Sequence, residues 1–529
     1  MNYDECYLKQ NIQVEALYNN WYAWPHLISP ATSAMITANL HLNILKSYVD
    51  NPELHAMAVK SPEMLGGPFV DYEGKRADEI SSLIDSTETK LGHLLKFAEA
   101  VKTFDNELQA TAKGFSLEPM YEKIPAPLKG YVELVYDLNH NPSLRFIEGL
   151  LYRSPYYVES AQSMSLSVIN QDYRPFVLST PRLEDKSHLH LPIRFNNPRI
   201  DQLFKMKDSP NSYAYIKDIL QVADDKDELF KTFFTDEPNR KDNSKPDSGV
   251  RFRYYGHACI LIETQDVSIL TDPVISYDYD NGIDRYTYAN LPDSIDYLII
   301  THNHQDHVML ETLLQIRHKV KTVVVPRSNG GSLEDPSVKL MMEAIGFQNV
   351  VELDEMETMQ IPGGSITGLP FFGEHSDLNI RTKLAHLVKL GNTSLMCAAD
   401  SNNIEPALYD HLHKIYGDID VLFLGMECDG APLSWLYGPL VTAPLDRAVD
   451  QSRRLDGSNY ERGAKIVDSL KCKHVYIYAM GQEPWLNYVM SKKYTEDSNP
   501  IVHSNRLITY CENRGIVAER LYGTKELYI

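Results

Sequence analysis

The chain has 529 residues, 43% of them hydrophobic, and carries 51 Lys plus Arg against 72 Asp plus Glu, a net charge of −21. That length exceeds what one hydrophobic core usually supports, so two domains are expected, and the negative charge opposes general association with nucleic acid. The sequence has no run of about eighteen apolar residues, and its start lacks the basic and then apolar segments of a signal peptide, so it is expected in the cytoplasm without a membrane span.

In chain order, apolar residues at helical spacing predict helices from about Ser29 to Val49 and from about Arg76 to Lys102, the second marked by Ile80, Leu83, Leu91, Leu94, Leu95 and Ala98. Strands are predicted at Leu166 to Ile169, at Phe176 to Ser179 and at His188 to Phe195, which makes the amino-terminal half a mixed α and β domain. His188 and His190 have a ligand-like spacing but no carboxylate follows them in compact register, and Pro192 points to an edge strand, so they read as a polar strand face. From Asp236 to Gly249 the chain is polar, rich in breakers and free of large apolar residues. It reads as a linker, which gives domains 1–240 and 250–529. The amino-terminal domain has no catalytic motif. The cysteines Cys6, Cys259, Cys397, Cys428, Cys472 and Cys511 are scattered without a C-x-x-C pair, so neither a disulfide framework nor a structural zinc knuckle is expected.

The carboxy-terminal half begins with a strand pattern over 250–263 and another over 267–273, suggesting a hairpin. Further strands are predicted at Asp296 to Thr301, Lys321 to Val325, Ser394 to Ala398, Val421 to Leu424 and Val475 to Tyr478, separated by helical or loop stretches such as Leu313 to His318 and Val338 to Ile345. Strand-rich sections flanked by helices fit a layered αββα arrangement. The third of these strands runs into His302-x-His304-x-Asp306-His307. On an extended segment side chains alternate faces, so His302 and His304 point the same way and grip one ion. Asp306 and His307 follow where the chain turns toward Val308 to Ile316, within reach of a second ion. Trp435, Tyr437 and Trp485 lie in loop-like stretches after predicted strands, where packing is the expected role and lining a pocket the alternative.

Gly256-His-Ala, Leu270-Thr-Asp-Pro, the His302 to His307 motif, Gly373-Glu-His-Ser-Asp377 and Ala399-Asp400 occur in the order typical of the metallo-β-lactamase fold superfamily. The resemblance covers about residues 250 to 529. With Glu374 in the Gly-Glu-His segment and a large amino-terminal domain, the chain most resembles the diiron β-hydroxylases of chloramphenicol biosynthesis. That resemblance implies a dioxygen-dependent monooxygenase, cytoplasmic and homodimeric, with capping the active site, dimerisation or carrier recognition as the role of its amino-terminal domain. Its substrate would be an amino acid held as a thioester on a nonribosomal peptide synthetase carrier domain, hydroxylated at the β-carbon with electrons from an external donor.

It also implies a site. His302, His304 and Glu374 would hold one iron, Asp306 and His307 the other, and Asp400 would bridge them, with Glu374 and Asp400 as catalytic carboxylates. His375 is the alternative to Glu374. Asp272 and His257 would orient ligands from behind, with turn capping or core packing as the alternative for each. Where hydrolases of the superfamily carry a last His, this chain reads Ala479-Met-Gly-Gln-Glu483, so Glu483 is a candidate substitute. Three imidazoles and three carboxylates favour hard, highly charged ions and so two irons over two zincs, the alternative being a dinuclear zinc hydrolase.

Overall fold

In a computed structural model of the chain, which describes residues 4–238 and 243–529, the carboxy-terminal half is built on two facing seven-stranded sheets. The centre of the expected linker, including Arg240 and Lys241, lies outside the described residues. The core of the first sheet is parallel: Ser268–Thr271, Ile295–Ile299, Val320–Pro326 and Val350–Leu353 lie side by side. The second repeats this with Thr393–Cys397, Val421–Gly425, His474–Tyr478 and Val517–Arg520. Strands buried on both faces read as continuous apolar runs, as at Leu422, Phe423 and Leu424.

Between the sheets Phe252 meets Phe423 edge to face, with ring centroids 5.3 Å apart. Outside the first sheet lie helices Leu310–Ile316 and Val338–Ala344, and outside the second lie Ala407–Tyr416, Tyr460–Leu470 and Asn499–Glu512. The expected αββα sandwich is present.

The long strand pattern over 250–263 is two strands, Arg251–Gly256 and Cys259–Glu263, paired antiparallel. His257 (φ 50°) and Ala258 make the turn between them, entered from Gly256 (φ 116°) at the strand's end, and the apolar residues around it hide the break from a periodicity argument. The hairpin with Ser268–Thr271 forms as expected.

In the amino-terminal half an antiparallel four-stranded sheet, ordered Trp21–Tyr22, Ile12–Tyr18, Gln162–Val168 and Leu189–Leu191, packs with helices. The first expected helix is Pro30–Ile36 and Leu42–Asp50 joined by a π-helical turn, Thr37–His41. The second is a pair, Ala77–Lys90 and Gly92–Thr111, separated at Leu91 and buried through Ile80, Leu83, Leu94, Phe97, Val101 and Phe104. Two strand expectations differ from the structure. Phe176 to Ser179 is a turn, because Pro175 and Pro181 remove ladder donors and restrict their predecessors. The strand at His188 shrinks to Leu189–Leu191, stopped by Pro192. His188 pairs with Asp185 at 2.8 Å, consistent with a polar strand face.

The two halves are clamped by a buried charge network. Arg174 bonds Glu15 (2.6 Å) and Glu311 (2.8 Å), and Arg182 bonds Glu15 (2.8 Å). Tyr22 and Tyr277 donate to Glu311 at 2.9 and 2.6 Å. Two guanidinium groups balance two carboxylates, which is what a dry site requires. Glu311 sits in the helix Leu310–Ile316 that follows the His302 to His307 motif, so the clamp steadies the segment carrying that motif. Among the described residues no helix is long and apolar enough to cross a membrane.

Candidate metal centre

Parallel strands deliver their carboxyl ends to one edge of a sandwich, and open sheets bind ligands there. Asp272 follows Ser268–Thr271, His302 follows Ile295–Ile299, Asp400 follows Thr393–Cys397, and Ala479 follows His474–Tyr478. His302 is still extended, whereas Asp306 and His307 lie on the turn closed by His307 N–H to His304 O (3.2 Å).

Three overlapping clusters of ligand atoms result: His302, His304 and Glu374; His302, His307 and Asp400; His257, Asp306 and His307. Glu374 lies 2.6 Å from His304 Nδ1 and 3.7 Å from His302 Nε2. Asp400 lies 3.2 Å from His307 Nε2 and 3.9 Å from His302 Nε2, between the two sets. Asp306 lies 3.8 Å from His307 Nε2.

The residues behind the clusters hold them in place. Asp272 accepts from Thr301 N–H (2.7 Å), Thr301 Oγ1 (2.5 Å) and His307 Nδ1 (2.9 Å). With Nδ1–H committed to a carboxylate, His307 turns Nε2 inward as a lone-pair donor. His257 Nε2 lies 3.1 Å from Asp306 Oδ2, close enough to share a cluster with the second set. His375 Nδ1 is 2.9 Å from Glu374 Oε2 and its ring packs on His304, but it belongs to none of the clusters. Glu483 also stands outside them, buried and accepting from Tyr254 OH.

The donor set fits metal ions. His302 Nε2, His307 Nε2 and Asp400 Oδ1 are buried with no hydrogen-bond partner. Each such group costs about 1–3 kcal/mol unless something satisfies it. Electrostatics agree at His302 and Glu374, whereas against burial the carboxylates of Asp400, Asp306 and Asp272 hold His307 well above the ordinary imidazole range. Burial drives the His302 imidazole well below its ordinary range, and His307 and His304 add to this. Burial would raise Glu374, yet His304 and His375 beside it hold it down at about 2. Burial raises Asp400, partly offset by His307. Neutral imidazoles and ionised carboxylates are the forms that ligate. The backbone is strained around them: His257, Asp272, Glu374, Ala399 and Ala479 all have positive φ (50°, 31°, 65°, 49° and 53°). Non-glycine residues there cost about 1–3 kcal/mol each and persist where a site demands them.

A cavity of about 240 Å³ opens onto His304, Asp306, Glu374 and Asp400. Trp435 lines it, and Leu65 and Gly66 reach it from the amino-terminal half. Tyr437 OH lies 2.8 Å from His304 Nε2, while Trp485 packs under Arg285 away from the cavity. Packing is the role the sequence predicts for all three, and Trp435 departs from it by lining the cavity, while Tyr437 adds a polar contact to His304. Sequence reasoning missed Glu427, which lines the cavity and pairs with Lys492 at 2.6 Å, and it missed the Leu65-Gly66 segment. No motif marks either one.

Comparison with known proteins sets this geometry in context. A family described as diiron non-heme beta-hydroxylase N-terminal domain matches residues 7–238, and a beta-lactamase superfamily domain matches residues 251–425. A Streptomyces venezuelae protein, 4-amino-L-phenylalanyl-[CmlP-peptidyl-carrier-protein] 3-hydroxylase, is 39% identical over 527 residues, covering 98% of this chain and 99% of that one. The crystal structure of CmlA, a diiron beta-hydroxylase from Streptomyces venezuelae, superposes with a TM-score of 0.93 at 38% identity, covering 100% of both chains. A point mutant of the CmlA beta-hydroxylase gives 0.91 at 37% identity, covering 99% of this chain and 100% of that one.

Proposed function

From the premise that the chain belongs to the diiron non-heme β-hydroxylase family, we propose that His302, His304 and Glu374 hold one iron, that Asp306 and His307 hold the second, and that Asp400 bridges them. The chain is a diiron monooxygenase that hydroxylates the β-carbon of an amino acid tethered as a thioester to a carrier domain. When bound, the iron pair supplies reductive activation of dioxygen: with two electrons and two protons from outside, one oxygen atom enters the C–H bond and the other leaves as water.

The chain's own residues do the rest. Asp272 keeps a proton on His307 Nδ1, so that Nε2 stays free to ligate. Tyr437 fixes the ring of His304. Glu374 and Asp400 add negative charge that favours higher-valent iron over zinc. Leu65 and Gly66 bring the amino-terminal half against these groups as part of the cavity wall. The external electron donor, the homodimer and the cytoplasmic location belong to the same reading, as does the division at the linker, with the amino-terminal part serving carrier recognition.

The observation that carries the reading is the place of Glu374 against His302 and His304, where zinc hydrolases of the superfamily use a third histidine. The zinc-hydrolase alternative is not favoured. Labelled dioxygen tests the reading: a carrier-bound amino acid should gain one labelled oxygen at its β-carbon, whereas release of the free amino acid with no oxygen gained would mean a hydrolase.

A further inference from the structure

Two charged residues line the cavity over the metal ligands without belonging to the metal set, Glu427 and Lys492. Glu427 comes from the same edge of the sandwich as the ligands. It follows the strand Val421–Gly425, which lies beside Thr393–Cys397, the strand that delivers Asp400, and Gly425 N–H donates to Ala399 O at 2.8 Å. Gly457 sits between the two acids: a Cβ there would lie 3.3 Å from Asp400 O and 3.4 Å from Glu427 O. Lys492 reaches in from the segment that follows the short helix Asn487–Met490.

The pair is held firmly but is not saturated. Lys492 Nζ lies 2.6 Å from Glu427 Oε1 and donates to Asp429 O at 3.2 Å. Asp429 N–H donates to the same Oε1 at 3.0 Å, and Tyr494 OH donates to Oε2. Burial, and then the charge of Glu427, push the Tyr494 phenol far above its ordinary range, so it stays a donor. An ammonium has three donor hydrogens, and each carboxylate oxygen has two lone-pair sites. Lys492 therefore keeps one donor, and Glu427 Oε2 keeps one acceptor site. Both side chains are largely shielded from bulk water, at 30% and 12% exposure.

We propose that Glu427 binds the α-ammonium of the aminoacyl group and Lys492 its thioester carbonyl oxygen, so that the β-carbon faces Glu374 and Asp400. This rests on the carrier-thioester reading above. An amino acid held as a thioester has lost its carboxylate and kept its amine, so it offers one cation and, beside it, one carbonyl acceptor. Glu427 and Lys492 present the complementary acceptor and donor side by side. Asp306, Glu374 and Asp400 are committed to the irons, which leaves Glu427 as the carboxylate for the substrate. Two charge-assisted hydrogen bonds to groups on either side of Cα fix its orientation, and a reaction at one C–H bond requires that. Among the described residues the cavity has no further charged lining apart from the metal-ligand candidates. Leu65, Trp435, Leu436, Leu455 and Met490 make much of its remaining wall, so the amino-acid side chain that it accepts is uncharged.

The test uses the full chain loaded with iron and reduced chemically, and reads β-hydroxylation in a single turnover. The probes are a nonribosomal carrier domain loaded through its thioester with phenylalanine, with phenyllactate, whose hydroxyl replaces the amine, or with hydrocinnamate, which has neither. The parent should hydroxylate the phenylalanyl carrier about 10–100-fold faster than either analogue, the range of one charge-assisted hydrogen bond. Glu427→Gln should shrink that preference to about threefold or less, while Glu427→Asp, which keeps the charge, should retain most of it. Lys492→Met should slow all three probes alike, because all three carry the carbonyl. Equal rates on the three probes in the parent, a preference that survives Glu427→Gln, or a Lys492→Met variant as fast as the parent would overturn the assignment. The first of these is read without any substitution, so it holds even where a variant does not fold. A parent that hydroxylates none of the probes would remove the carrier-thioester reading itself and this assignment with it.

Discussion

Tyr437 OH stands 2.8 Å from His304 Nε2, while the other nitrogen of that ring, Nδ1, lies 2.6 Å from Glu374 Oε1. His304 therefore turns Nδ1 toward the cluster, whereas His302 and His307 present Nε2. Tyr437→Phe keeps the ring packing and deletes the contact that holds this orientation. Partners of this kind are worth about 10–100-fold in metal affinity or activity. The variant should melt like the parent but lose iron on dialysis at least about tenfold faster, as read by iron analysis over time.

Gly425 ends the strand beside Asp400, and a Cβ there would lie 2.5 Å from Asp400 Oδ1 and 2.7 Å from Ala399 O. Gly425→Ala should push the Asp400 carboxylate aside, lower activity by about 100-fold and cost about 1–3 kcal/mol in folding. Gly457→Ala is the milder companion, because its Cβ would meet the Asp400 carbonyl at 3.3 Å. Turnover rates of the two variants, measured with thermal melts, should separate them clearly.

The clamp between the halves makes a stability prediction. Glu311→Gln removes charge from a fully enclosed group that pairs with Arg174 at 2.8 Å. Breaking such a pair costs about 3–5 kcal/mol, because Arg174 and Arg182 are then left to share one buried carboxylate, Glu15. Urea unfolding should show that loss. Combining Glu311→Gln with Arg174→Met should cost less than the two single changes added together, since the buried cation is then gone as well.

Lys207 gives a pH dependence with a definite sign. Its Nζ is buried without a hydrogen-bond partner, 4.2 Å from the centre of the Tyr288 ring. Burial pushes its pKa from 10.5 down to about 7, partly offset by Asp208 and Glu311. Between those two values the unfolded chain holds a proton that the folded chain has released, so stability rises with pH across that window. From pH 7 to 9 the gain should be about 1–2 kcal/mol in urea midpoints taken over that range. Lys207→Met should flatten the slope and be more stable than the parent at pH 7. A parent slope of the opposite sign would exclude this account of Lys207.

Much of the site was legible because four of its residues are contiguous: His302, His304, Asp306 and His307 lie within one strand end and one turn, where spacing alone implies geometry. Glu374 and Asp400 were reachable only through the order of short segments that recurs in a known superfamily, since nothing local distinguishes them from other acids at strand ends. Asp272 and His257 could be named but not ranked. The structure separates them, because Asp272 collects three donors while His257 stands against Asp306. Tyr437, Glu427 and Gly66 act through contacts between segments far apart in the chain, and such contacts leave no spacing in the sequence. In the fold, alternation and helical periodicity located most elements. They failed at Phe176 to Ser179, where flanking prolines decide the backbone, and at His257, where a turn interrupts a continuous strand pattern.

Anomalous diffraction from native crystals at the iron and zinc absorption edges tests the central assignment most directly. The account predicts two iron sites, one within bonding distance of His302, His304 and Glu374 and the other of Asp306 and His307, with Asp400 reaching both. Zinc alone at these positions, or a Glu374 carboxylate remote from both ions, would contradict it.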